Sequence, residues 1–238
     1  MIKLSKSVLA RRVFRKDILD QHIKNFMLGQ TKPYLCSNKI TLDIGAAVGM
    51  YASYFAKYSL SVFCYEAVPE VFKQLEKTCS EYNNMYCANL AISNIIGETS
   101  FYVDDKRLSN SSIYNLVNGI EITVPCKTVD SMEHYNIGFI KIDVEGAELL
   151  VLRGAEKTIG RDLPALMIEV YPKFLPKDHI KEIFDLLVRK FGYVIYYNNR
   201  PRGLTKILNF RDFNNIASNE KMINIHDGDF LFINENSC

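Results

Sequence analysis

One stretch constrains the fold more than any other: Ile40-Thr41-Leu42-Asp43-Ile44-Gly45-Ala46-Ala47-Val48-Gly49-Met50-Tyr51. An apolar run ends in an acidic residue, turns through small residues and re-emerges with helical character, as a strand–loop–helix unit of a parallel α/β sheet does. The next apolar run, Ser61-Val62-Phe63-Cys64-Tyr65-Glu66, also closes on a carboxylate. Two consecutive strands that end in acidic residues, with a glycine loop after the first, suit a nucleoside-bearing cofactor. Glycine lets the backbone approach the ligand, and the second carboxylate can accept hydrogen bonds from both ribose hydroxyls.

The loop chemistry separates the possible cofactors. A dinucleotide site uses Gly-x-Gly-x-x-Gly, because the pyrophosphate sits on backbone amides at a helix N-terminus. Here the spacing is Gly45-x-x-x-Gly49, with Ala47 where a middle glycine could stand, and Asp43 two positions before Gly45. A carboxylate there repels a pyrophosphate and suits a cation. S-adenosylmethionine has no phosphate and carries a sulfonium and an ammonium, so the electrostatics favour it over NAD. Close helix–strand packing also selects small residues, but packing alone gives no reason for Asp43 and Glu66.

At 238 residues the chain fits one sizeable domain with ample core for an α/β sheet. A formal net charge of +2 gives no case for a nucleic-acid partner. Arg11, Arg12, Arg15 and Lys16 form a local basic segment, which reads as the solvated face of a helix or as a contact for a membrane or anionic substrate. None of the six cysteines forms a Cys-x-x-Cys pair or has a histidine at metal-finger spacing. No apolar stretch approaches the length of a membrane span, and no signal-peptide core opens the chain. A reducing, cytoplasmic setting is the expectation.

Residues 5–28 carry apolar positions among many charges and read as one or two amphipathic helices, so residues 1–35 are expected as a helical segment and 36–238 as one domain. From residue 40 the pattern alternates: strand 40–44, helix 49–58, strand 61–65, helix 70–82 and strand 85–92. The alternation then breaks at two β-like segments, 97–103 and 121–126, joined by a polar loop through Ser109, Asn110, Ser111, Ser112 and Asn115. It resumes with strand 139–144, helix 147–158, strand 165–170 and helix 177–191. Segments 193–197 and 229–233 lack βαβ spacing and suit an antiparallel pair at the edge of a parallel sheet.

A second charged strand end reads Phe139-Ile140-Lys141-Ile142-Asp143-Val144-Glu145-Gly146-Ala147-Glu148. Strand alternation puts Lys141, Asp143 and Glu145 on one face. Asp43, Glu66, Asp143 and Glu169 all end expected strands, so four carboxylates should share the rim where open α/β sheets bind ligands. Such a set repels itself unless a basic side chain, cationic ligand or metal is present. Lys141 can serve simply as a partner to a nearby carboxylate, and Glu148 simply as a complement to a helix dipole.

Together these motifs resemble the FkbM family of S-adenosylmethionine-dependent methyltransferases. The similar stretches are 43–51, Tyr65-Glu66-Ala67-Val68-Pro69 and 140–148, with weaker similarity at 89–93, 127–131 and 167–172. The resemblance implies a Rossmann-like, seven-stranded, mostly parallel sheet with a reversed final strand. It implies methyl transfer, usually to a hydroxyl of a sugar or other small molecule. By position, Glu66 would hold the ribose, and Asn89 and Ala91 would border the adenine. Asp43 and the loop Gly45, Ala46, Ala47 and Gly49 would surround the methionine part, with Tyr51 and Ala67 beside them. Asp143 would lie near the amino group and the transferred methyl. Family members often carry a histidine where Tyr171 stands, which leaves the base unassigned.

Methyl transfer is an in-line displacement, so an enzyme mainly aligns nucleophile, methyl and sulfur. A sugar hydroxyl is a poor nucleophile, and Asp143, Glu145 and Glu169 are the candidate catalytic groups. Their oxygen-only chemistry also suits a hard divalent cation such as Mg²⁺. His134 reads as a surface residue of a connector. A dehydrogenase using Glu66 on NAD ribose, and a catalytically silent adaptor docking through its basic segment, are the competing readings. The loop spacing opposes the first, and the intact carboxylates oppose the second.

Overall fold

The computed structural model describes residues 29–104, 119–170, 175–199, 203–219 and 228–237. The basic segment of residues 11–16, the polar loop 105–118, and Tyr171 and Pro172 lie outside them. Residues 34–238 form one compact unit.

Five parallel strands make the centre of the main sheet: β1 (Ile40–Ile44), β2 (Ser61–Glu66), β3 (Met85–Asn89), β7 (Ile137–Ile142) and β8 (Ala165–Glu169). Every residue of β7 is buried, as a strand covered on both faces requires, and its sequence is correspondingly apolar apart from Lys141. Helix α1 (Met50–Phe55) follows β1, and α2 (Pro69–Cys79) follows β2. Pro69 opens α2 at a position where no intrahelical amide is needed. Buried Thr41 and Ser59 satisfy each other through a 2.7 Å hydroxyl–hydroxyl hydrogen bond.

The full order is β10-β9-β11-β8-β7-β1-β2-β3, an eight-stranded sheet. Strand β11 (Asp229–Ile233) runs antiparallel between β8 and β9 (Val194–Asn199), and β10 (Gly203–Ile207) pairs antiparallel with β9 at the edge. The count of seven is therefore corrected to eight, and the reversed final strand is internal rather than at the edge. Strand β10 and helix α6 (Phe210–Ala217) go beyond the expected elements. Polar Lys206 and Thr205 mask the period of β10, while α6 shows its amphipathic pattern only over eight residues.

Two expected helices also differ in detail. The helix expected at 147–158 is two short ones, α3 (Glu148–Arg153) and α4 (Glu156–Asp162), broken where Gly154 meets the Ser93 carbonyl. Helix α5 (Lys177–Phe184) ends in a π-helical turn over Asp185–Lys190. The expected β insertion is a separate three-stranded sheet of β4 (Ala91–Ile92), β6 (Gly119–Lys127) and β5 (Gly97–Asp104). Its inner side chains Phe101, Val103 and Val124 bury against Ala67, Val68, Val71 and Ala91.

The chain runs outward from β1 through β2 to β3, then returns to place β7 on the other flank of β1. That reversal between β1 and β7 is the switch point at which open α/β sheets leave a crevice beyond their C-terminal strand ends.

Candidate functional site

Register fixes which side chains meet at the crevice. Asp43 of β1 lies opposite Cys64 of β2 and Lys141 of β7; Lys141 lies opposite Met167 of β8; Glu169 lies opposite Asp229 of β11. Register partners share a face, and alternate residues share it too. Asp43, Glu66, Lys141, Glu169 and Asp229 therefore project to one side of the sheet, and Asp143, one residue past β7, continues that row.

Lys141 organises the row. Its ammonium lies 3.4 Å from Asp43 Oδ1 and 3.1 Å from Asp143 Oδ2, and donates to the Gly45 carbonyl at 3.2 Å. The Tyr51 ring lies 5.0 Å from it, a cation–π contact on its remaining side. Burial works against the charge, but Asp143 and Asp43 outweigh it and raise the Lys141 pKa. Burial likewise pushes the Asp43 carboxyl up, with Lys141 opposing. Asp43 is wholly buried, and neither of its oxygens has a hydrogen-bond partner among the described residues. A carboxylate buried this deeply is costly unless it is paired, and Lys141 supplies the pairing.

The glycine loop is shaped by close contact. A Cβ on Gly45 would lie 1.8 Å from the Asp143 carbonyl oxygen, and its φ of +76° already favours glycine. Gly49, at φ +85°, sits against Leu75 and Thr78 of α2. Ala47 holds a left-handed φ of 48° without being glycine, a strain of the kind that gathers at ligand sites. The loop amides are already engaged. Gly45 and Ala46 N–H both donate to the Tyr65 carbonyl at 3.0 Å, Ala47 N–H donates to Glu66 Oε2 at 3.0 Å, and Gly49 N–H donates to the Ala46 carbonyl at 2.9 Å.

Glu66 ties the end of β2 to that loop, its other oxygen accepting from Val68 N–H at 2.8 Å. Burial raises it to about 7 against the pull of the two amides. Asn89 donates to the carbonyls of Glu66 and Ala67 at 2.8 and 2.9 Å, so it shapes the turn after β2. Ala46, Ala67 and Ala91 are buried, and Ala47, Ala67 and Ala91 belong to the apolar cluster under the three-stranded sheet. Asn89 and Ala91 therefore sit beside Glu66, on the flank where an adenine is expected.

On the other flank, carboxylate oxygens of Asp143, Glu145 and Glu169 lie within 4.8 Å of one another, each residue half-buried. Burial and the negative charges of Asp143, Glu145 and Asp229 raise Glu169 well above the usual carboxylate range. Glu145 has a left-handed φ of 52°, in a loop held by Glu148, whose Oε1 accepts from Gly146 N–H at 3.0 Å and Val144 N–H at 3.3 Å. Glu148 is thus more than a partner to a helix dipole.

Asp229 is a rim residue that sequence reasoning misses. Once the last strand is taken as reversed, its first residue falls at the same rim as the last residues of its parallel neighbours, and that signal would find it. His134 is corrected from a surface residue to a half-buried one. Its Nε2 lies 2.6 Å from the Tyr65 hydroxyl, and its ring packs 4.3 Å from Phe63. The four cysteines Cys64, Cys79, Cys87 and Cys126 are free thiols, and Cys36 is disulfide-bonded.

Glu148 gives a test of these electrostatics. Burial raises its carboxyl to about 7 from an ordinary 4.5. A carboxyl raised in the folded state contributes stability that is present below pH 4.5 and lost as pH climbs through about 7. Glu148→Gln keeps the acceptor for both amides without the ionisation. Denaturant titrations should find it as stable as wild type near pH 4.5 and more stable at pH 8.

A parallel α/β sheet with a switch-point crevice, a glycine loop after β1 and an acidic residue ending β2 defines a Rossmann-like methyltransferase fold. The sequence profile of the Methyltransferase FkbM domain matches residues 43–195, more than half of the chain, and the chain belongs to that family. Among solved structures, it is similar to a methyltransferase FkbM from Methylobacillus flagellatus KT, with 16% identity and a TM-score of 0.53, over 83% of this chain and 44% of that one. The chain thus spans less than half the length of that protein, and at this identity the likeness shows the fold alone. An rRNA methylase from Streptococcus thermophilus matches at 14% identity and a TM-score of 0.46, over 87% of this chain and 91% of that one. No curated protein matches the sequence. No helix among the described residues is long and apolar enough to cross a membrane.

Proposed function

We propose that the protein is an S-adenosylmethionine-dependent methyltransferase that methylates a hydroxyl of a sugar or other small molecule. One observation carries the choice of cofactor: the amides of Gly45, Ala46, Ala47 and Gly49 are already bonded within the protein. A loop so engaged leaves those amides no role in cradling a pyrophosphate, which opposes NAD. The buried, Lys141-paired carboxylate of Asp43 and the carboxylate of Glu66 fit a cofactor with a cationic amino-acid end and a ribose diol.

S-adenosylmethionine supplies a methyl group activated by a sulfonium leaving group. In this reading Glu66 accepts from the ribose hydroxyls, Asn89, Ala67 and Ala91 flank the adenine, and Asp43, Tyr51 and the glycine loop surround the methionine end. Asp143 stands between cofactor and acceptor, with Glu145 and Glu169 on the acceptor side. The three carboxylates can activate a hydroxyl by taking its proton or by holding a hard cation such as Mg²⁺, and a chelator distinguishes the two. Four free thiols support a reducing, cytoplasmic setting, whereas the Cys36 disulfide stands against it; thiol counting on protein alkylated in cells decides.

Asp143→Asn tests the catalytic assignment. Lys141 keeps Asp43 as its partner, so the variant should fold and bind S-adenosylmethionine within about threefold of wild type. Methyl transfer, measured on acceptors found in a library of hydroxylated sugars, should fall by roughly 10²–10⁴. Unimpaired transfer would remove Asp143 from the mechanism.

A further inference from the structure

Tyr65 and His134 form a polar pair that the chemistry above leaves unused. Tyr65 precedes Glu66 on β2 and projects to the opposite face of the sheet. There its buried side chain brings the hydroxyl to 2.6 Å from His134 Nε2, and the imidazole packs 4.3 Å from the Phe63 ring. One proton, from phenol or imidazole, completes that contact. The connector carrying His134 is itself held. Arg161 of α4 donates to the His134 carbonyl at 2.6 Å and lies 4.5 Å over the Tyr135 ring, while the Asn136 amide donates to the Asn38 carbonyl at 2.7 Å. Glu133 and Asn136, at left-handed φ of 52° and 60°, bracket the segment, a backbone strain that persists only where its surroundings impose it.

We infer that His134 is a positioning residue: through the Tyr65 hydroxyl it fixes the strand end that holds the 45–49 loop in the form that receives the cofactor. The Tyr65 carbonyl accepts from both Gly45 N–H and Ala46 N–H at 3.0 Å, so two loop amides hang on this one residue. The next residue, Glu66, accepts from Ala47 N–H at 3.0 Å. A tilt of Tyr65 therefore reaches three loop amides and the carboxylate assigned to the ribose. Core filling alone gives no reason for this pair. Phenylalanine at position 65 would fill the same space without a hydroxyl that needs a partner, and leaving that hydroxyl buried and unpaired would cost stability. The consequence for the cofactor rests on the function proposed above, whereas the link from His134 to the loop amides does not.

The test compares His134→Phe, Tyr65→Phe, their combination and His134→Gln in the full, folded chain. Phenylalanine at position 134 keeps a ring against Phe63 and removes the nitrogen, and glutamine restores a polar group for the Tyr65 hydroxyl. In both phenylalanine variants the amide proton resonances of Gly45 and Ala46 should move upfield, as longer bonds to the Tyr65 carbonyl require, while that of Ile140 in β7 stays in place. A loss of global stability alone moves none of them in the folded protein. The dissociation constant for S-adenosylmethionine should rise by about three- to tenfold, the worth of one hydrogen bond. The combined variant should match the single ones, because each removes the same bond, and His134→Gln should lie closer to wild type. Unmoved Gly45 and Ala46 resonances, a shift of Ile140 as large as theirs, additive effects in combination, or glutamine no better than phenylalanine would each overturn the proposal. Moved resonances with unchanged affinity would overturn it too. If the wild-type protein does not bind S-adenosylmethionine, the function reading fails, while the resonances still decide whether His134 orders the loop.

Discussion

Lys141→Met is expected to destabilise the protein by about 3–5 kcal/mol, the usual cost of leaving a buried charge without its partner. Lys141 is 2% exposed and is the ion-pair partner of both Asp43 and Asp143. Methionine keeps much of the stem volume, so cavity formation adds little. The loss should shrink at low pH, because protonating Asp43 removes the uncompensated charge, and it should shrink again in the double variant Asp43→Asn/Lys141→Met. A double-mutant cycle by urea denaturation reads the coupling directly. A loss below about 1 kcal/mol with no coupling would mean that solvent already screens Asp43, contrary to its burial.

Gly45→Ala should be nearly as severe, and for a different reason. The added Cβ would lie 1.8 Å from the Asp143 carbonyl oxygen, which is backbone held in register with β1 and cannot swing aside as a side chain could. Left-handed φ adds about 1–2 kcal/mol for any residue with a Cβ. The variant should lose at least about 3 kcal/mol of stability, combining that strain with displacement of the β1–β7 rim, and lose binding of S-adenosylmethionine. Gly49→Ala is the control. Its Cβ would meet the flexible Leu75 side chain at 2.9 Å and Thr78 Cγ2 at 3.1 Å, so the cost should approach the conformational part alone. Thermal unfolding of the two variants should rank them clearly. Equal, small shifts would show that the rim yields more readily than its hydrogen bonds suggest.

Much of the fold and of the rim is legible in the amino-acid sequence. The alternation from residue 40 onward predicts the five parallel strands of the main sheet. Strands β7 and β8 read most clearly, because strands buried on both faces are apolar runs whatever surrounds them. The expected strand 85–92 divides into β3 and the separate β4 of the smaller sheet. The carboxylates ending those runs mark the rim, and Lys141 stands among them as a candidate partner. Less legible is anything set by three-dimensional neighbours. Asp229 and the internal place of β11 depend on strand order, which local pattern does not encode. Strand β10 has too little apolar periodicity to stand out from the loops around it. His134 reads as a connector residue because only the folded sheet brings Phe63 and Tyr65 beneath it. The engagement of the loop amides, which does most to separate the cofactors, is likewise a property of the folded backbone.

The most direct measurement is calorimetric titration of the purified protein with S-adenosylmethionine and, separately, with NAD, on wild type and Glu66→Ala. The account predicts saturable binding of S-adenosylmethionine by wild type, weakened in Glu66→Ala by about 1.5–3 kcal/mol per charged hydrogen bond lost, before water compensates. It predicts no binding of NAD. Saturable NAD binding, or S-adenosylmethionine binding that ignores the loss of Glu66, would contradict it.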